Sequence, residues 1–481
     1  MSIWDTTRWA CPWRTGSEGS RPVPDPESDF GSVLPSLKAP PPGPRSLELA
    51  ERLRCVESRN VTYLSEAFPV FWEEARGANV RDVDGNVYVD FTGAFGVSLA
   101  GHAHPRVRRA LTEQSRRLIH GMGDVHPPAL KVELLERLGG LAPWEETRTV
   151  LGSSGSEAME VALKTAQLST GRAGIIAFEG AYHGLTLGSL AVTARPDFRE
   201  PFRARVHQGV AFAPYPQTEE EAEAALTHVE LLLSEGVPAG GGGPPGSLRQ
   251  SVAAVVVEPV QGRAGVRIPA PGFLSGLAER TRAAGALLVF DEIFTGLGRT
   301  GVVFEYEREG VLPDLVCIGK ALGGGLPLSA CLGQREVMDA WPVSGGEALH
   351  TSTFLGHPLS CATALAFLDV LEEEGLVAAS LALGERIVGR LSADLATLHG
   401  VKAVRGRGLL IGVELSSQDD GPAPGAGARV AQAALKRGLL VLPAGGQAEV
   451  VELAPPAVSS DAQVDFGITC LVESIREVLP R

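Results

Sequence analysis

The sequence predicts an α/β protein in which a mostly parallel sheet is covered by helices and a smaller α+β domain follows. Helical apolar patterns alternate with short β-branched runs from about residue 105 to residue 350, which is typical of crossover units. The clearest runs are 174–178, 252–257, 286–290 and 315–318. The length of 481 residues is enough for two domains. In such a fold, ligands bind beyond the carboxyl ends of the strands.

Composition limits the classes of partner. The net charge is −14 and no stretch is rich in Lys or Arg, so neither a nucleic acid nor a membrane is expected as a partner. The six cysteines lack C-x-x-C spacing, which fits a reducing cytoplasm and predicts no metal site. The N-terminus does not read as a signal peptide, and no apolar run of about 18 residues occurs. We therefore expect a cytoplasmic protein that acts on small molecules.

Gly, Pro and periodicity suggest where the chain divides. The predicted parts are a Pro/Gly-rich N-terminal arm at 1–45, which is expected to be mobile, an N-terminal lobe joining the small domain at 46–104, a large ligand-binding domain at 105–370, and a C-terminal small domain at 371–481. Two Gly/Pro-rich surface loops are expected, one within 217–250 and one at 421–427.

Charged residues stand where three predicted strands end. Val257 is followed by Glu258, Phe290 by Asp291, and Ile318 by Gly319 and Lys320. Carboxylates at buried strand ends need a partner, which implies a bound cation. A lysine in that setting is a candidate nucleophile, although a lysine after a strand is more often a solvated strand end.

A run of small polar residues opens a predicted helix. The stretch from Leu151 to Glu157 contains Ser153, Ser154, Gly155 and Ser156, and offers hydroxyls, free N–H groups and a positive dipole end. This pattern predicts a phosphate site, although taken alone it is usually an ordinary helix cap.

In order and spacing together, these segments resemble the pyridoxal-phosphate (PLP) aminotransferases of fold type I, class III. The resemblance runs from about Arg81 to about Pro456. The matching stretches are Ser154-Gly155-Ser156-Glu157-Ala158, Tyr182-His183-Gly184, Glu258-Pro259-Val260-Gln261-Gly262, Asp291-Glu292-Ile293, Gly298-Arg299-Thr300-Gly301, Lys320 with its glycines, and His350-Thr351-Ser352-Thr353. The resemblance implies a large domain with a seven-stranded sheet and a PLP cofactor.

The resemblance also implies a role for each matching residue. Lys320 would carry PLP as a Schiff base and move the proton between the substrate carbon and the cofactor. Asp291 would keep the pyridine nitrogen protonated. The threonine at 353 would reach the phosphate in a neighbouring subunit, which implies a homodimer with shared active sites. The implied cofactor-binding residues are Gly155, Ser156, Tyr182, His183, Glu258, Asp291, Ile293, Lys320 and Thr353, with Tyr182 and Ile293 on opposite faces of the ring.

The sequence departs from the family at the substrate end. Where many members place a carboxylate-binding arginine, this chain has Glu452, and where they place its glutamate partner, it has Arg263. We expect a reversed pair, with Arg263 available for a carboxylate or Glu452 for a second amine or hydroxyl; two solvated charges that never meet are the alternative. Leu185 replaces a further arginine of the 4-aminobutyrate-type members, which argues against that substrate. Phe95 is expected to line the substrate pocket, or else to pack in the core.

The predicted function is transfer of an amino group from an amine or amino acid to a keto acid or aldehyde by a ping-pong mechanism. A racemase, epimerase or aminomutase of the same family needs the same motifs and remains the alternative. A dinucleotide site at 296–301, where the sequence reads G-x-G-x-x-G, is disfavoured because β-branched and aromatic residues follow it instead of a helical pattern. A protein without catalytic activity is disfavoured because Lys320 and Asp291 are both present.

Overall fold

A computed structural model describes residues 30–239, 249–417 and 421–479. Its helices are α1 (Pro44–Val56), α2 (Gly93–Gly96), α3 (Pro105–Ser115), α4 (Ala129–Gly139), α5 (Gly155–Thr170), α6 (Leu187–Val192), α7 (Pro196–Arg199), α8 (Glu219–Glu235), α9 (Phe273–Ala283), α10 (Arg335–Met338), α11 (Pro358–Glu373), α12 (Leu376–Leu395), α13 (Ala426–Leu435) and α14 (Asp461–Val478). Its strands are β1 (Trp72–Arg76), β2 (Asn79–Asp82), β3 (Val87–Asp90), β4 (Thr147–Gly152), β5 (Gly174–Phe178), β6 (Val210–Ala213), β7 (Val237–Pro238), β8 (Arg249–Gln250), β9 (Val252–Val257), β10 (Leu287–Asp291), β11 (Leu315–Ile318), β12 (Ser329–Gln334), β13 (Val401–Arg407), β14 (Leu410–Leu415), β15 (Leu439–Leu440), β16 (Leu442–Ala444) and β17 (Val450–Leu453).

The large domain is built on a seven-stranded sheet in the order β4-β12-β11-β10-β9-β5-β6. Only β12 runs antiparallel to its neighbours; the pairs β11–β10, β10–β9, β9–β5 and β5–β6 are parallel. Strands β5, β9, β10 and β11 are apolar along almost their whole length because helices cover both faces of the sheet. The predicted α/β class with a mostly parallel seven-stranded sheet is confirmed.

The N-terminal lobe and the C-terminal part are joined by a shared sheet. Strands β1, β2 and β3 form antiparallel pairs, and β15 from the C-terminal part adds to β3 in parallel. A second sheet, in the order β13-β14-β17-β16, lies wholly within the C-terminal part. This pairing is consistent with the predicted domain division, which stays a prediction.

The structure bears only in part on the predicted N-terminal arm and the two predicted Gly/Pro-rich loops. Residues 1–29 of the predicted arm and residues 240–248 of the first Gly/Pro loop lie outside the described residues. The described end of the arm is attached to the lobe: Ser36 pairs with Val87, and Asn86 accepts hydrogen bonds from the Lys38 and Ala39 N–H groups. The second loop is shorter than predicted, because α13 already begins at Ala426.

The G-x-G-x-x-G stretch forms turns and opens no helix, which agrees with the argument against a dinucleotide site. Its Arg299 is fully buried and donates to three backbone carbonyls, those of Pro455 (2.6 Å), Gly96 (3.2 Å) and Leu409 (3.3 Å). One guanidinium therefore joins the loop after β10 to the N-terminal lobe and to the C-terminal part.

None of the helices in the described part of the chain is long and apolar enough to cross a membrane.

Candidate active site

The carboxyl ends of three adjacent parallel strands meet at one cavity. Val257 of β9 lies opposite Phe290 of β10, and Asp291 lies opposite Cys317 of β11, so the residues that follow these strands converge. The cavity has a volume of about 250 Å³. Its lining comprises Ser154, Gly155, Ser156, Tyr182, His183, Gly184, Glu258, Val260, Arg263, Asp291, Ile293, Phe294 and Lys320.

Lys320 begins a short 3-10 turn directly after β11. Its backbone has a φ of +44°, an uncommon value for a residue with a side chain and a mark of local strain. Its Nζ lies 4.0 Å from the centroid of the Phe294 ring. Burial lowers the pKa of Lys320, and the nearby carboxylates of Asp291, Glu452 and Glu258 oppose that effect. A lysine with a lowered pKa is a better nucleophile and base.

Asp291 and His183 form a buried pair. Asp291 Oδ2 lies 2.7 Å from His183 Nδ1, and Asp291 Oδ1 accepts a hydrogen bond of 3.0 Å from the Ile293 N–H. Burial disfavours the charged form of His183, but the hydrogen bond and charge of Asp291 prevail and raise its pKa. The carboxylate is thereby fixed in position, facing a cavity that has room for a second cationic partner.

Glu258 and Tyr182 form a second fixed pair. Glu258 Oε2 accepts a hydrogen bond of 3.1 Å from the Tyr182 N–H, and the hydroxyl of buried Tyr215 donates to the Glu258 carbonyl at 3.1 Å. Burial raises the pKa of Glu258 to about 7. The Tyr182 ring, which packs edge-on against Phe198 at 5.9 Å, also lines the cavity.

The start of α5 has the features of an anion site. Ser154 caps the helix, its Oγ accepting from the Glu157 N–H, and Gly155 and Ser156 of the first turn line the cavity. A Cβ at residue 155 would lie 2.8 Å from Ile293 Cδ1, so glycine lets Ile293 pack against this turn without a shift of its side chain. Free N–H groups and the positive end of the dipole at such a turn favour a phosphate.

The two substrate-end charges lie near one another without an ion pair. Arg263 lines the cavity, with its guanidinium carbon 5.8 Å from the Tyr182 ring centroid. Glu452 lies on β17 and is 3% exposed, and its Oε2 has no hydrogen-bond partner among the described residues. Burial raises the pKa of Glu452, opposed by Arg263, Lys320 and Arg299 in that order.

Some predicted site residues do not line the cavity in this chain. Phe95 is 57% exposed with a left-handed backbone, and neither it nor Glu452 is among the lining residues. Thr353 is also exposed and away from the cavity. Their predicted roles stay predictions.

Phe294 is a lining residue that the sequence did not single out. Its ring lies between two glycines: a Cβ at Gly96 would be 2.3 Å from it, and one at Gly262 would be 2.5 Å from it. The only sequence signal was the position of Phe294 beside Ile293. Since the regular alternation of side chains stops where β10 ends, that signal did not show which way the ring would point.

Comparisons with known proteins match this chain over most of its length. The family model described as "Aminotransferase class-III" matches residues 62–475. An alanine/serine racemase of Pyrococcus horikoshii is 32% identical over 92% of this chain and 93% of its own. A 5-aminovalerate aminotransferase of Pseudomonas aeruginosa is 34% identical over 86% of this chain and 95% of its own. The solved ornithine aminotransferase of Toxoplasma gondii, with partial occupancy of PLP at its active site, has a TM-score of 0.77 and 30% identity, covering 90% of this chain and 94% of that one.

Proposed function

The chain belongs to the class III aminotransferases, and on that premise we propose which of its residues hold the cofactor and which meet the substrate. It is a PLP-dependent enzyme that moves an amino group from an amino donor to a keto acceptor, with both substrates using one site in turn. The observation that carries the residue assignment is the convergence of Lys320, Asp291 and Glu258 on one cavity beside the open turn of α5.

The lining residues fit PLP in charge and in shape. Gly155 and Ser156 would bind the phosphate through the first turn of α5, while Tyr182 and Ile293 would contact the two ring faces. The His183 Nε2 atom is buried without a partner among the described residues, which fits a site completed by a bound group. When bound, PLP supplies an aldehyde that reacts with amines and a ring that withdraws electrons from the adjacent carbon.

Lys320 would hold the cofactor through Nζ and then act as the proton-transferring base and acid. Its partly buried amine loses its proton more readily than a solvated lysine does, because burial lowers its pKa. The Nζ could therefore accept a proton from the amine-bearing carbon of the substrate and deliver it to the carbon of the bound cofactor.

Asp291 would accept a hydrogen bond from the protonated ring nitrogen. His183 is a positioning residue in this proposal, because its 2.7 Å bond to Asp291 fixes the carboxylate. Glu258 would act through the tyrosine, because its hydrogen bond from the Tyr182 N–H positions the residue whose ring lines the cavity.

Arg263, Glu452 and Phe95 are proposed as substrate residues. Arg263 lines the cavity and suits a substrate carboxylate, and Glu452 carries the opposite charge next to it. Phe95 lies in the α2 turn, which contacts the turn that begins at Lys320, so its ring would border the entrance for the substrate.

We also propose a cytoplasmic homodimer. Exposed apolar side chains occur in two segments, 118–125 and 349–354, and the second segment contains Thr353. The segments are in contact, since the centroids of the His120 and Phe354 rings are 5.3 Å apart. The exposed apolar side chains of these segments are Leu118, Ile119, Met122, Val125, Leu349 and Phe354. Such a patch marks an interface, and Thr353 would then face the partner's site. The five described cysteines are free thiols, which suits a reducing compartment.

Absorbance spectroscopy of the PLP-loaded protein tests the function and the lysine assignment together. We expect a visible cofactor band that shifts to the pyridoxamine form with amino donors in the absence of any keto acid, and that returns when a keto acid is added. Retention of the band with loss of optical activity in an amino acid would instead favour the racemase named among the relatives. A band unchanged in the Lys320→Ala variant would overturn the role of Lys320.

A further inference from the structure

Glu452 is a buried carboxylate that forms no ion pair with any described residue of the chain. It is 3% exposed, and its Oε2 atom has no hydrogen-bond partner among the described residues. Leaving a charged group buried without a partner costs several kcal/mol, so such a group is expected to be neutral or to meet a cation from outside. The neighbouring carboxylate Glu414 shows the ordinary arrangement, because it pairs with Lys402 at 2.8 Å and also with Arg405.

The sheet geometry directs Glu452 toward the loop that carries Arg263. Side chains alternate along β17, so Glu452 shares a face with Val450, whose Cγ2 would lie 2.7 Å from a Cβ at Gly265. Gly412, directly opposite Glu452 on β14, faces Val266, since a Cβ there would lie 3.0 Å from the Val266 Cβ. This face of the sheet therefore packs against Gly265 and Val266, the residues that follow Arg263 and Ala264 in the loop.

None of the three cations that act on Glu452 forms an ion pair with it within the described residues. The Arg299 guanidinium donates hydrogen bonds to the backbone carbonyls of Pro455, Gly96 and Leu409. Lys320 is required for the chemistry, and Glu452 acts on its ammonium more strongly than Glu258, which lines the cavity, does. Arg263 lies over Tyr182 and makes no ion pair of 4.0 Å or less with Glu452 within the described chain.

We propose that Glu452 binds a second ammonium group on the amino donor, so that the preferred donors are diamines, while Arg263 binds the carboxylate of the keto-acid acceptor. The inference rests on the proposed function, because donor and acceptor must use one site in turn. One anionic and one cationic group side by side serve both substrates without a rearrangement of the backbone. A charge-assisted hydrogen bond of this kind contributes about 1.5–3 kcal/mol, which corresponds to about a 10- to 150-fold preference.

The test compares four donors of one chain length that differ only at the far end: cadaverine, pentylamine, aminopentanol and aminovalerate. We expect the half-reaction of the PLP-loaded enzyme to show a kcat/KM for cadaverine at least about tenfold above that for pentylamine. Glu452→Gln should remove most of this preference and change pentylamine by less than about threefold. Glu414→Gln, which alters a paired carboxylate of the same sheet, should leave the preference intact.

Calorimetry of the apoprotein supplies a readout independent of turnover. Cadaverine should bind the wild-type apoprotein more tightly than pentylamine does, and Glu452→Gln should abolish the difference. The subsite proposal is overturned if cadaverine is not preferred, if aminopentanol equals it, or if Glu452→Gln weakens all four donors alike. Failure of the aminotransferase function would look different, since no donor, including alanine and glutamate, would then convert the cofactor.

Discussion

The two ends of the cavity are built on opposite principles. At the cofactor end, Asp291 is bonded to His183 and to backbone, and Glu258 is bonded to the Tyr182 backbone, so the carboxylates are fixed before any ligand arrives. At the substrate end, Arg263 and Glu452 lie near one another with no ion pair between them in the described chain. Prearranged partners suit a group that stays bound through every turnover, and unpaired charges suit ligands that alternate.

Loss of Lys320 is the largest effect expected at the fixed end. Lys320→Ala removes both the group that holds PLP and the proposed base, so turnover should fall by about a thousandfold or more. Steady-state kinetics with a saturating donor measures the change. Added methylamine provides the control, because partial recovery by an external amine shows that the remaining site is intact. Turnover within tenfold of the wild type would contradict the assignment.

Asp291→Asn is the next largest change. It keeps the shape of the side chain but removes the charge that would hold a proton on the ring nitrogen, so kcat should fall by about a hundredfold or more. His183→Phe should cause a smaller loss, since it removes only the group that positions the carboxylate. Equal losses in the two variants would mean that the pair acts as one unit, and the distinction between the two roles would then be wrong.

At the substrate end, we expect the effects of changing Arg263 and Glu452 to depend on each other more than we expect either change to reduce turnover. Arg263→Gln, Glu452→Gln and the double variant form a cycle, and the free energy of unfolding of the apoprotein measures it. Because each charge acts on the other, we expect an interaction of about 1 kcal/mol. Additive changes in both stability and activity would show that the two charges never meet, which is the alternative that the sequence left open.

The smallest effect on activity is expected at Glu292, which follows Asp291 but faces the core. Its Oε1 accepts from the Tyr306 N–H at 3.0 Å and its Oε2 accepts from the Thr295 hydroxyl. Burial raises its pKa from 4.5 to about 8, so its contribution to stability is full below its ordinary pKa and is lost as the pH rises through about 8.

Glu292→Gln removes this titration while keeping the shape. The melting temperature of the variant relative to the wild type should therefore be higher at about pH 8.5 than at about pH 5. Thermal unfolding of both apoproteins at the two pH values measures the difference. If the melting temperatures of the variant and the wild type differ by the same amount at both pH values, Glu292 does not titrate as its burial implies.

More of the cofactor end of the cavity than of the substrate end could be predicted from the sequence. Strands β5, β9 and β11 begin and end where their β-branched runs do, and β10 is shifted by one residue because Asp291 continues the ladder. The convergence of Lys320, Asp291 and Glu258 followed from parallel strands alone. The burial of Glu452 depends on how β17 packs on a distant loop, and the role proposed for Thr353 requires a second subunit, so neither follows from local pattern.

Arg299 connects three segments of the chain that are expected to unfold locally as one unit. Its guanidinium holds carbonyls from the N-terminal lobe, from the turn between β13 and β14, and from the segment after β17. Because one side chain satisfies all three, the amides around these segments should exchange their hydrogens for deuterium as a group and not one by one. Local unfolding of these three segments is therefore expected to be a single cooperative event.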